Sequence, residues 1–183
     1  MTSGDPTPID PGDPIEVLLA EHRTILQVLD LVERENRYLD AGDALRETFW
    51  RDLLRFADEF DAGLHHGKEE RLLFPALERA GLSATSGPTA LLRDEHGRAA
   101  FWRDRLQHAL AARDRLRVAA AAASWVDLVR AHVLKENQIL FPLARRLLSA
   151  AELERLRVAF AALPGACDPR AWLHPGHGLD GAA

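Results

Sequence analysis

The chain has 183 residues, 47% of them hydrophobic and 28% charged, with 23 basic against 28 acidic side chains for a formal net charge of −5. This is the balance of a soluble globular protein long enough to bury one real core, with no basic excess for nucleic acid. The single cysteine, Cys167, excludes an intrachain disulfide, a CxxC pair and a four-cysteine zinc site. No apolar run approaches the roughly 18 residues of a membrane span. Residues 1–13 are acidic and proline-rich where a secretory signal would be basic and then apolar, so a cytoplasmic location is expected.

Proline and glycine mark off the two ends. Residues 1–13 read as a flexible arm and 164–183 as a flexible tail, leaving one domain over 14–163. The first helix is predicted from Asp13, a capping residue followed by Pro14 at the first helical position and Glu16 in capping-box register. Leu18, His22, Ile25, Leu29 and Val32 then recur at helical spacing, up to Gly42. A second helix is predicted from about Leu45 to Ala80, ended or kinked late by Pro75. A third opens at Gly87-Pro88 and reaches about Arg113. A fourth runs from about Leu116 to Leu148 with Pro142 in its last turns, and a Ser149/Glu152 capping box starts a short fifth. No stretch alternates with period two. The expected fold is all-α, an antiparallel up-down-up-down four-helix bundle with a short fifth C-terminal helix.

The chain repeats itself. Glu21-His22 in the first helix matches Glu95-His96 in the third. In the second, His65-x-x-x-Glu69 is followed by Leu73-Phe74-Pro75; in the fourth, His132-x-x-x-Glu136 is followed by Leu140-Phe141-Pro142. Positions i and i+4 share a helix face, so each His–Glu pair can point at one spot. One such pair is common on a helix surface; two copies in register with Leu-Phe-Pro are not. With His22 and His96, the core of a bundle would gather four imidazoles and two carboxylates. Two carboxylates can bridge two metal ions while imidazoles cap them, and mixed nitrogen and oxygen ligation suits iron or manganese better than calcium or structural zinc.

These pieces resemble the hemerythrin-like (HHE cation-binding) proteins over about residues 14–148. The resemblance implies a non-haem di-iron centre held by His22, His65, Glu69, His96, His132 and Glu136, bridged by the two glutamates and an oxo or hydroxo group. It implies a small ligand as partner: oxygen, nitric oxide or peroxide. Oxygen-carrying hemerythrins use five histidines, whereas four stand in register here. That count is similar to the iron-sulfur-cluster repair branch, whose N-terminal cysteine domain has no counterpart in residues 1–13.

The remaining histidines are expected outside the set. His108 follows His96 by about 120° of helical rotation. His66 is a possible fifth ligand, or His66/Glu70 could replace His65/Glu69; the Phe-Pro register favours His65/Glu69 and places His66 behind the ligands or at the surface, and His174 and His177 fall in the tail. Trp50, Trp102 and Trp125 sit in apolar stripes and read as core. Gly63, Gly67 and Gly97 flank the proposed ligands inside helices, a cost of about 1 kcal/mol each against alanine; close helix approach, a path for a small gas or chance composition would each account for them. Iron storage, donation or sensing without turnover would use the same ligands, and a metal-free helical interaction module would use none. A ferritin-like oxidase and a zinc protease lack their motifs, since the chain contains neither Glu-x-x-His nor His-Glu-x-x-His.

Overall fold

The computed structural model describes residues 12–163 together with Trp172, Leu173 and Leu179. Among them the protein is all-α: α1 (Pro14–Ala41), α2 (residues 47–79), α3 (Pro88–Ala111), α4 (residues 115–147) and α5 (Ala150–Ala161). The first four form a bundle joined by short turns, and α5 packs beside α1. None of the described helices is long and apolar enough to cross a membrane.

The helix ends follow the local chemistry. Asp13 caps α1 by accepting from the Ile15 N–H at 2.8 Å, and Gly42 ends it in the left-handed region at φ 101°. Glu16 is not part of a capping box; it pairs with Arg145 of α4 at 2.5 Å and ties the helix ends together. Asp114 caps α4, and the Ser149/Glu152 capping box opens α5 as its sequence requires.

Pro142 stands in the last turns of α4, as expected, and Pro75 lies four residues before the end of α2. Each is preceded by a wider π-helical turn, Glu69–Leu73 in α2 and Glu136–Leu140 in α4. A proline has no N–H and its ring crowds the carbonyl four residues back. The π turn meets that conflict by moving the bond to the fifth residue: the Phe74 N–H donates to the Glu69 carbonyl, and the Phe141 N–H to that of Glu136. A longer π stretch, Phe56–His65, lies just before the histidines of α2.

The core is two apolar clusters. One contains Ile25, Leu29, Trp50, Phe56, Phe60, Trp125 and Val129; the other contains Ile15, Leu18, Phe74, Phe141 and Phe160. Trp50 and Trp125 are buried as expected and Trp102 is half-buried. Each buried side chain of this size contributes about 1.5–3 kcal/mol. Of the expected tail, Trp172 and Leu179 are buried in the first cluster, where Trp172 meets Phe56 edge-on at 5.7 Å. The rest of that tail, with Cys167, His174 and His177, and the arm up to residue 11 lie outside the described residues.

Candidate metal centre

Along the chain, the polar residues of the repeat fall between the two apolar clusters. One ligand atom each from His22, His65, Glu69 and Glu136 lie within 4.8 Å of one another, and so do those from His66, Glu69, His96 and His132. All six residues expected from the sequence are therefore brought together, and Glu69 belongs to both groups. His22 Nε2 and His132 Nε2 approach the same Glu136 oxygen, at 3.1 and 3.2 Å. His65 Nε2 and His96 Nε2 approach the two oxygens of Glu69, at 3.5 and 3.4 Å. Each glutamate thus spans one imidazole from each group, the placement a bridging carboxylate needs.

The outer nitrogen of every one of these four rings is held by an acceptor. His65 Nδ1 donates to Glu21 at 3.0 Å and His132 Nδ1 to Glu95 at 3.1 Å. His96 Nδ1 donates to Glu70 at 2.6 Å and His22 Nδ1 to the side-chain Oδ1 of Asn137 at 2.7 Å. Lys68 donates to Glu21 and Lys135 to Glu95, so each of these carboxylates is itself oriented. A proton on Nδ1 leaves the Nε2 lone pair of a neutral imidazole bare and pointing inward. The phenylalanines of the repeat complete the support: Phe141 stacks on His22 at 5.1 Å and Phe74 on His96 at 5.8 Å.

What faces the centre is then uncompensated. The Nε2 atoms of His22 and His65 are 3.0 Å apart, and those of His96 and His132 are 3.1 Å apart. Both oxygens of Glu69 and both of Glu136 are buried without a hydrogen-bond partner, despite their closeness to imidazoles. Lone pairs and carboxylates gathered out of water are costly unless a cation or protons join them. Burial works against charge on His65, but Glu69 and Glu21 outweigh it and push its pKa up to about 9. His132 is likewise pushed up to about 9, against burial, by Glu136, Glu69 and Glu95. Burial opposes charge on Glu136 too, yet His132 and His22 hold its carboxyl well below the usual range.

Of the readings open for His66, the structure places it inside the cluster, with Glu69, His96 and His132. It is buried, 7% exposed, and its ring stacks on His96 at a centroid distance of 3.7 Å. Burial and the neighbouring His96, His65 and His132 push its pKa well below the ordinary value, so it is a neutral imidazole. The alternative pair His66/Glu70 does not form: Glu70 is exposed and serves His96. Adjacent residues on a helix point 100° apart, and a helix inside a bundle buries a stripe at least that wide. His65 therefore turns to α1 and His66 to α3. Asp61 was missed. It is 2% exposed, with one oxygen unpaired and 3.6 Å from His66 Nε2, and burial pushes its carboxyl pKa up. Glu21, Glu95, Lys68 and Lys135 did leave a signal, since each occurs at the same place in both copies of the repeat. His108 is exposed and remote, as its rotation required.

The donor set, imidazole nitrogen and carboxylate oxygen without thiolate, fits iron or manganese. No curated protein and no solved structure is significantly similar to this chain. The sequence model of the hemerythrin HHE cation-binding domain matches residues 13–144, for the family as a whole and for no one branch of it. That match takes in four helices and every residue of the cluster, and the chain belongs to the hemerythrin HHE cation-binding family.

Proposed function

We propose that this protein holds two iron ions and uses them to bind or react with a small ligand, oxygen, nitric oxide or peroxide. His22 and His65 would hold one ion and His96, His132 and His66 the other, with Glu69 and Glu136 between them. The observation that carries this reading is the convergence of four imidazole Nε2 atoms and the carboxylates of Glu69 and Glu136 on one buried layer. Paired iron would supply electrons and open coordination positions to a ligand. The chain supplies the rest: Glu21, Glu95, Glu70 and Asn137 fix the tautomer and direction of the imidazoles, and the two apolar clusters bound the layer above and below.

The test is anaerobic loading with ferrous iron, followed by metal analysis and absorption spectra before and after oxygen. Two irons per chain with new oxygen-dependent charge-transfer bands support the proposal. Two irons without an oxygen response would favour iron handling without turnover. No stoichiometric metal, or manganese in preference to iron, would overturn it.

A further inference from the structure

The two halves of the bundle carry the same ligands on different walls. In register with the repeat, Gly63 and Gly67 of α2 correspond to Arg130 and Leu134 of α4, and Gly97, Ala99 and Ala100 of α3 to Arg23, Ile25 and Leu26 of α1. Every position is small on one side and large on the other. The small side is open: a cleft of about 520 Å3 lies there, and it reaches His66, His96 and Asp61. The corresponding hollow on the other side, about 430 Å3, is bounded by Leu26, Arg130, Val133, Leu134 and Asn137 and touches none of the clustered histidines. Val133 stands there in place of His66.

A stripe of small residues alone could be only close packing, and at Gly63 and Gly67 an added Cβ would meet the Asp58 carbonyl and the Arg71 side chain, but Gly97 is different. A Cβ built on Gly97 would meet nothing within 4 Å, so its smallness is not required by a neighbouring helix. At the inner end of the cleft Asp61, 2% exposed, keeps an oxygen without a hydrogen-bond partner. Buried polar atoms left unpaired in this way are met by water or a ligand. Volume does not separate the two hollows, since both exceed the roughly 300 Å3 at which sites for organic ligands begin; what sets this one apart is that it reaches His66, His96 and Asp61.

We propose that this cleft is the way into the centre for a small polar organic molecule, larger than a diatomic, and that Gly97 sets the size it admits. The molecule approaches His66 and His96 and completes the hydrogen bonding of Asp61. The proposal rests on the position of the histidine cluster; it relies on the iron reading only for what the molecule meets there.

The first measurement therefore uses metal-free protein. Diethylpyrocarbonate, itself larger than a diatomic, acylates accessible imidazoles, and peptide mass spectrometry locates the product. His66 and His96 should be modified ahead of His22 and His65, with His108, whose side chain is 76% exposed, as internal reference. Gly97→Leu should slow acylation of His66 and His96 by about tenfold or more, to the rate of local opening. Arg23→Leu, at the corresponding place on α1, should leave both rates unchanged. In iron-loaded protein, removal of the metal by 2,2′-bipyridine should slow in Gly97→Leu and not in Arg23→Leu. No acylation of His66 and His96 in the native chain, or equal rates in a folded Gly97→Leu protein, would overturn the proposal. Ala100→Leu plugs the same wall and replaces Gly97→Leu should that variant fail to fold. Protein that retains no iron overturns the iron reading while the acylation result still decides this one.

Discussion

His22 and His65 bring their Nε2 atoms to 3.0 Å although they come from different helices and different motifs. Asn137 holds the back of one ring and Glu21 the back of the other, so neither imidazole can turn away without losing its hydrogen bond. His96 and His132 repeat the arrangement at 3.1 Å, with Glu70 and Glu95 behind them. All four rings are thus aimed into one layer by hydrogen bonds made outside it.

Loss of either glutamate should weaken metal binding most. Glu69→Ala removes the one residue common to both ligand groups, and Glu136→Ala removes the oxygen that faces both His22 and His132. Each variant should fall well below the iron content of the native chain after anaerobic loading, Glu69→Ala furthest. Plasma mass spectrometry of desalted protein reads this directly; two irons retained in either variant would refute the bridging assignment.

The supporting carboxylates should differ in their effect on stability. The Lys68 side chain is 4% exposed and that of Lys135 is 34% exposed, although both bond to the equivalent glutamate. Glu21→Ala strands a buried ammonium at a cost of about 3–5 kcal/mol. Glu95→Ala leaves Lys135 free to reach water and should cost about 1–2 kcal/mol, mainly for the lost acceptor of His132. Urea unfolding of metal-free protein separates the two. Adding Lys68→Met to Glu21→Ala should recover most of the larger loss, and failure to recover it would show that Lys68 is not the cause.

Most of this centre can be read from a single sequence because it is written twice. The spacing His65 to Glu69 and His132 to Glu136 puts each pair on a helix face, and Phe-Pro fixes the register between copies. The caps at Asp13, Asp114 and Ser149 are local chemistry and stand where local chemistry puts them. What was not legible depends on features without a repeat. His66 could be named only as one alternative, because its counterpart is Val133 and the repeat argues against it; the width of the buried stripe is what brings it in. The π turns are a tertiary compromise around Pro75 and Pro142, which a pattern of 3.6-residue periods does not encode. The burial of Trp172 against Phe56 joins distant parts of the chain and leaves no spacing signal.

Proton uptake should make metal binding depend on pH in a defined window. The folded pKa values of His65 and His132, about 9, stand above the ordinary 6.5. Their protonation therefore stabilises the metal-free fold fully below about pH 6.5, and this stabilisation is lost as pH rises through about 9. A bound cation must displace both protons. Calorimetry at pH 7.5 in buffers of different ionisation enthalpy should show release of about two protons per chain on loading, falling towards none above pH 9. The melting temperature of metal-free protein should drop across the same window, with a smaller change in loaded protein. A proton count that does not vary with pH would mean that these histidines are neutral before the metal binds.

Two helical glycines should respond oppositely to one added methyl group. A Cβ on Gly63 would lie 2.9 Å from the Asp58 carbonyl oxygen, a backbone atom brought close by the π stretch Phe56–His65. Backbone in the middle of a helix cannot step aside cheaply, so Gly63→Ala should lose about 1–3 kcal/mol through overpacking despite its better helix propensity. A Cβ on Gly97 meets nothing, and Gly97→Ala should gain about 0.4–1 kcal/mol because the unfolded chain has less freedom to lose. Thermal melts of the two metal-free variants are enough to decide. Opposite signs would tie Gly63 to the backbone geometry that delivers His65 and His66 to the centre, and leave Gly97 with no structural reason to be glycine. A gain in both would mean that the π stretch relaxes into an ordinary α-helix at little cost, and that some other contact sets the directions of His65 and His66.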